Sequence, residues 1–232
     1  MTLIFLHGSG CSGIVWEQQT AYFQNSLMPN LPGHPEGRAF DDVMDLAEWL
    51  ISYVKNKNLK DVVLIGHSLG SAIAIQAALL DSIDIKALVL IGAGARLKVM
   101  PQLLTTLSDL AKNGEEIPDY LLSANQKIPE TFRTRINASI VNNKAVSMLS
   151  DFRACDNFDV MSKLKDIKVP VQIIVGDKDQ MTPVKYAAYL EDQLPNATLA
   201  IIENGTHMVF AEFPDIVNKI IQDFLRSVLP KK

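Results

Sequence analysis

The chain has 232 residues, 48% of them hydrophobic and 21% charged, and a formal net charge of −4 at pH 7. That length suits one α/β domain, alone or with an inserted cap, and it can bury a large core without staples. The acidic balance argues against nucleic acid or an anionic membrane as natural partner, and two cysteines, Cys11 and Cys155, make neither a disulfide framework nor a zinc site.

Taken in order, the chain alternates short apolar runs with helical patterns. It opens on MTLIFLHGSG, whose run at 3–6 has four consecutive apolar residues and no basic segment before it. Such a run is too short for a signal peptide's apolar core or a membrane span, so a cytoplasmic protein is expected. It is instead the first of a set of strand candidates at 3–6, 26–28, 62–65, 87–91, 171–175 and 198–202. Nearly continuous apolar character marks strands covered by helices on both faces. Residues 41–54 place Val43, Ala47, Leu50 and Val54 on one helical face. Thr182-Pro183 reads as an N-cap followed by proline at the first helical position. Pro214 opens a final helix with Ile216, Ile220 and Phe224 along one side. The alternation predicts an α/β fold, a doubly wound and mostly parallel sheet of about six strands. One stretch breaks it. Residues 95–165 hold no clear strand, only helical patterns at 99–110 and 131–140 broken by Pro118 and Pro129. They are expected to form a helical lid inserted into a core made of residues 1–94 and 166–232.

Within VVLIGHSLGSAIAIQAALL, a polar Gly66-His67-Ser68-Leu69-Gly70 knot joins a β-branched strand to a helix rich in Ala, Leu and Ile. That is the pattern of a strand–turn–helix nucleophile elbow. So sharp a turn pushes the serine into unfavourable backbone angles, and a glycine two residues to either side relieves the crowding. The serine oxygen then lies at a helix N-terminus, where backbone N–H groups favour developing negative charge.

A serine hydroxyl is a poor nucleophile without a base. The chain has four histidines. His67 adjoins the serine, and neighbouring side chains diverge in a sharp turn. His7 and His34 follow the first two strands. His207, in IIENGTHMVF, follows the last strand at the carboxyl edge of the sheet, the rim that also carries Ser68, and is the expected base. A carboxylate must fix the base's tautomer, and VQIIVGDKDQMTP offers Asp179, the preferred acid, with Asp177 as the alternative. Acyl transfer also needs an oxyanion hole. The Leu69 N–H supplies one donor, and the HGSGCSG loop supplies the other through Ser9 or Gly10.

Together, FLHGSG at 5–10, LPGH at 31–34, GHSLG at 66–70, VGDKDQMTP at 175–183 and NGTHMVFAEFP at 204–214 resemble the α/β-hydrolase superfamily. The likeness is to its small capped esterase-like branch and covers nearly the whole length. Nucleophile, acid and base also follow one another in that superfamily's order. The resemblance implies that the acid is the aspartate three residues beyond Gly176, which is Asp179. It implies Ser9, the residue after His-Gly, as the second oxyanion donor. Relatives carry an antiparallel strand pair ahead of the His-Gly loop that is lacking here, so the strand at 26–28 is expected at a sheet edge. Its shortness and Pro29 protect such an edge. Hydrolases of meta-cleavage products, which break carbon–carbon bonds, share HGSG but continue with proline where Cys11 stands.

The expected function is that of a serine hydrolase, a carboxylesterase acting on small to medium acyl esters or thioesters through an acyl-enzyme. The same triad would serve carbon–carbon or peptide-bond hydrolysis, and the same pocket would serve a ligand-binding receptor with little turnover. The leucines of the insertion, Leu103, Leu104, Leu107, Leu110, Leu121 and Leu122, pack the lid and in part line an apolar pocket. Arg133 and Arg135 belong to a solvated face rather than to an anion site. Cys11 lies near the oxyanion loop, where thiol modification would block the site. No cofactor or metal is implied. The expected partner is a small-molecule ester, and the expected state is a monomer or homodimer.

Overall fold

The six apolar runs become strands β1 (Thr2–Leu6), β2 (Ser26–Leu27), β3 (Val62–His67), β4 (Ile85–Ile91), β5 (Val171–Gly176) and β6 (Ala197–Ile202). The structure, a computed structural model, describes residues 1–228, leaving aside the side chains of residues 123 and 124. All six strands form one sheet in the order β2-β1-β3-β4-β5-β6, and every ladder is parallel. Parallel neighbours need crossovers, and helices supply them. They are α1 (Glu17–Tyr22), α2 (Val43–Asn56), α3 (Leu69–Leu80), α4 (Pro101–Asn113), α5 (Glu130–Asn157) and α6 (Val184–Gln193), while α7 (Val209–Glu212) and α8 (Pro214–Val228) follow β6. As expected, β2 lies at an edge of the described sheet, two residues long and paired only with β1.

The two-residue period of a strand divides the core. Val62 and Leu64 of β3 join Ile4, Leu6, Leu88 and Leu90 on one face, covered by α2, α3 and α6. Val63 and Ile65 join Leu3, Phe5, Val89 and Ile91 on the other, covered by α7, α8 and the aromatic Trp16. Trp16 is fully buried and stacks on Phe210 with ring centroids 4.1 Å apart. Such a pair adds about 0.5–1.5 kcal/mol beyond the area it buries. The helix expected at 41–54 is α2, N-capped by Asp42, which accepts from the Met44 N–H at 2.7 Å.

Two local expectations are corrected. The buried stripe of α8 is Val217, Ile221, Phe224 and Leu225, while Ile216 is 49% exposed and Ile220 only partly covered. Two apolar stripes one residue apart compete on this helix, and the docking angle against the sheet selects between them. Nor does Thr182 cap α6. The N-cap is Pro183, which makes no side-chain bond, and the Thr182 hydroxyl is turned to Asp179 instead.

Between β4 and β5 lie α4, a 3-10 helix at Asp119–Asn125, α5, and a 3-10 helix at Met161–Asp166. α5 is broken at Lys144, whose φ of 65° and ψ of 158° are non-helical. A backbone well reserved for glycine costs of order 1–3 kcal/mol in any other residue, so the surrounding contacts must impose it. The second arm of α5, beyond that break, carries Ser147, Met148, Asp151 and Cys155 into the core, all buried.

Candidate active site

Ser68 sits between β3 and α3 at φ 52° and ψ −117°. Two glycines make that geometry possible. A Cβ on Gly66 would lie 2.2 Å from the Gly70 carbonyl oxygen, and one on Gly70 would lie 2.2 Å from that of Leu6. Strand, turn and helix thus meet backbone to backbone, where no side chain fits. The elbow is pinned to the sheet by the Ser68 N–H, which donates to the Ile91 carbonyl at 2.9 Å. Ser68 holds the N-cap position of α3 but makes no capping bond, so its hydroxyl is not consumed by the helix. The N–H of Leu69, at the first helical position, has no partner within the helix.

His207 lies between β6 and α7. Its Nδ1 is 2.8 Å from Asp179 Oδ2 and 3.3 Å from the Thr182 hydroxyl. With Nδ1–H donating to the carboxylate, the neutral ring's Nε2 is left as the acceptor. Asp179 is itself held on both oxygens. Its Oδ1 accepts from the N–H groups of Met181 and Thr182, each at 2.9 Å, and its Oδ2 from the Thr182 hydroxyl at 2.8 Å. Burial alone would raise this carboxyl, but the hydrogen bond and charge of His207, with the Thr182 bonds, bring it below the ordinary carboxylate value. Asp177, the alternative acid, pairs with Lys178 at 3.1 Å, and among the described residues no hydrogen bond or ion pair joins it to His207.

Ser68, His207, Ser9 and Cys11 all line one cavity of about 660 Å³. Among the described residues no hydrogen bond joins the Ser68 hydroxyl to the His207 ring. Such bonds are often long before substrate arrives and tighten in the complex. Of the leucines in the insertion, Leu103 and Leu121 reach the cavity, together with Met100, Ile140, Met148 and Phe152. Arg133 and Arg135 do not. Arg133 donates to the Gln126 carbonyl and Arg135 pairs with Glu17, both exposed. Cys11 is buried, and burial, then the nearby Asp151 charge, pushes its thiol up to about 12. It is not a reactive thiolate.

The other three histidines each hydrogen-bond a backbone carbonyl. His67 Nε2–H donates to the His207 carbonyl at 3.0 Å, and burial, then His207, holds that ring well below its ordinary value. His7 is pushed down to about 3 by burial and then by His34, and its Nε2 accepts from the Leu31 N–H at 3.0 Å.

One of the two oxyanion candidates in the HGSGCSG loop is corrected. The Gly10 N–H already donates to Asp151 Oδ2 at 2.7 Å in a buried contact, so it is not free to receive an oxyanion. No acceptor among the described residues takes the Ser9 N–H. Sequence patterns also passed over three polar residues that hydrogen-bond candidate site residues or their loop: Thr182, read only as a cap, and Asn143 and Asp151 in α5. The last two carried no signal, because a polar residue inside a helix looks the same whether it faces water or a buried partner.

The match to the Alpha/beta hydrolase family covers residues 3–220. The chain belongs to that family. It is 24% identical, over 97% of its length and 90% of the relative's, to an (E)-2-((N-methylformamido)methylene)succinate hydrolase of Acinetobacter baylyi. It is 25% identical to a pimeloyl-[acyl-carrier protein] methyl ester esterase of Aromatoleum aromaticum, over 97% of this chain and 98% of that one. A solved lipase-esterase related protein from Clostridium acetobutylicum superposes with a TM-score of 0.84 at 26% identity, covering 96% of this chain and 93% of that chain. The chain is accordingly an enzyme of the hydrolase class. No helix among the described residues is long and apolar enough to cross a membrane.

Proposed function

We propose that the protein is a carboxylesterase that cleaves small to medium acyl esters or thioesters through a Ser68 acyl-enzyme. The observation that carries this reading is the buried His207–Asp179 pair, 2.8 Å apart, whose His207 lines the same cavity as a serine held at positive φ. His207 Nε2 takes the Ser68 proton as Oγ bonds to the acyl carbon, and the carbonyl electron pair moves onto oxygen. The N–H groups of Leu69 and Ser9 receive that oxyanion. The tetrahedral species collapses, breaking the bond to the alcohol or thiol, and His207 returns the proton to the leaving group. Water, deprotonated by His207, then attacks the acyl carbon and releases the acid and Ser68. Asp179 keeps Nδ1 protonated throughout and stabilises the imidazolium.

The helical segment 95–165 acts as a lid whose aliphatic side chains receive the acyl chain. The relative named as a methyl ester esterase supports the ester reading. The test is a series of p-nitrophenyl esters from acetate upward, with fluorophosphonate labelling of wild type and Ser68→Ala. Wild type should hydrolyse the shorter esters and be labelled, and Ser68→Ala should do neither. Labelling of Ser68→Ala at the wild-type rate would reject the nucleophile. No turnover on any ester would favour the carbon–carbon or receptor readings.

A further inference from the structure

The HGSGCSG loop makes a tight turn in which the Cys11 N–H donates to the Gly8 carbonyl at 3.2 Å. Ser9 and Gly10 are its central residues, and Gly10 has a φ of 70°, the value that the third position of a type II turn requires. The loop packs on the elbow, for a Cβ added to Gly8 would lie 3.1 Å from Ser68 Cβ. The soft coordinate of such a turn is rotation of its central peptide, the one joining Ser9 to Gly10. The N–H of that peptide, and the carbonyls of the two peptides that follow it, are gripped by α5. Asp151 accepts the Gly10 N–H at 2.7 Å, and Asn143 Nδ2 donates to the carbonyls of Gly10 and Cys11 at 3.0 and 2.7 Å.

Asp151 is braced in turn. His34 Nε2 lies 2.9 Å from the same Oδ2, while its Nδ1 faces the carbonyls of Leu31 and Pro32, each at 3.2 Å. Every ring nitrogen of His34 thus faces an acceptor, the arrangement that an imidazolium satisfies. Asn143, Asp151 and His34 are at most 3% exposed. A buried charged network of this kind is costly unless every member is paired, so it specifies one geometry for the peptide it holds.

We propose that Asp151, with Asn143, is a positioning residue for acyl transfer: from the helical lid it clamps the Ser9–Gly10 peptide and thereby keeps the Ser9 N–H in register with Ser68. This rests on the esterase reading of the site. It also assigns the lid a second task, since the arm of α5 beyond Lys144 completes the oxyanion hole from outside. Closure of the substrate cavity and assembly of the catalytic constellation then depend on one helix.

The test uses Asp151→Ala, Asp151→Asn and Asn143→Ala, each checked for a wild-type near-ultraviolet circular dichroism spectrum. Fluorophosphonate labelling of Ser68 and steady-state hydrolysis of a p-nitrophenyl ester are then measured. Loss of one oxyanion donor costs about 10²–10³ in kcat, and a loosened donor loses part of that. Asp151→Ala should therefore lower the labelling rate and kcat roughly tenfold to a hundredfold, with KM changed by less than about threefold. Asp151→Asn should recover most of the loss, because its amide oxygen, in the place of Oδ2, can still accept both the Gly10 N–H and a His34 Nε2–H. A purely structural role would lower thermal stability without this kcat-selective loss and rescue. The proposal is overturned by an unchanged kcat in Asp151→Ala, by a loss confined to KM, or by Asp151→Asn no better than Asp151→Ala. Should Asp151→Ala not fold, Asn143→Ala decides: an unchanged kcat there overturns the proposal. Wild type unlabelled at Ser68 would instead remove the esterase reading itself, and this inference with it.

Discussion

His207 Nδ1 meets Asp179 Oδ2 at 2.8 Å although 28 residues separate them in the chain. The contact exists because β5 and β6 are parallel neighbours, so the loops leaving their carboxyl ends open onto the same rim. One ladder register thereby sets the tautomer of the proposed base.

That pairing separates two carboxylates two residues apart. Asp179→Asn should lower kcat by about 10³–10⁴ by presenting the wrong hydrogen-bond partner to Nδ1, whereas Asp177→Asn should change it by less than about threefold. Steady-state kinetics on one p-nitrophenyl ester checks both. A large loss in the Asp177 variant alone would reassign the acid.

The elbow has no room for a methyl group. Gly70→Ala should destabilise the fold by roughly 3 kcal/mol or more, since the new Cβ meets the Leu6 carbonyl rather than a movable side chain. Thermal denaturation reads this as a fall in Tm of about 6 °C or more for a chain of this size. An unchanged Tm would mean that β1 and α3 can part more easily than their packing indicates.

The pair His34–Asp151 makes stability depend on pH. Burial alone would lower the His34 ring, but the hydrogen bond and charge of Asp151 and the two backbone carbonyls raise it above its ordinary value. A base raised on folding contributes stability that is complete below its unfolded value of about 6.5 and is lost as pH rises through the folded one. The groups facing it are Asp151 and the neutral ring of His7, with Cys11 nearby and protonated. Denaturant midpoints should therefore fall between pH 6.5 and the alkaline range in wild type, and this component should vanish in His34→Gln. Parallel curves for the two proteins would show that the ring stays neutral.

Two lysines, Lys127 and Lys178, line the cavity, and among the described residues no carboxylate does. Lys127 donates only to the Asn204 carbonyl, at 3.0 Å, and so keeps its charge unpaired among the described residues. An ester whose acyl chain ends in a carboxylate should show a KM about three- to tenfold below that of the neutral ester of equal length, a gain of about 1 kcal/mol that salt should weaken. Lys127→Ala should abolish the difference, and equal KM values in wild type would mean that both lysines simply face solvent.

Much of this was legible in the residue order alone. A strand buried on both faces has to be apolar nearly throughout, so β1, β3, β4 and β5 announced themselves, and the glycines at 66 and 70 marked a backbone crossing that tolerates no side chain. The proposed triad of Ser68, Asp179 and His207 was chosen on chemistry that needs a nucleophile, a carboxylate and an imidazole on one rim. Contacts over long sequence distance were not legible. Only the packed chain decides that α8 buries Val217 and Ile221 rather than Ile216, that Thr182 serves Asp179 instead of capping a helix, and that Asp151, 141 residues from Gly10, takes its N–H. Local pattern determines which elements form, because backbone sterics and burial act over a few residues. Which polar group satisfies which depends on how those elements dock, and docking is a property of the whole molecule.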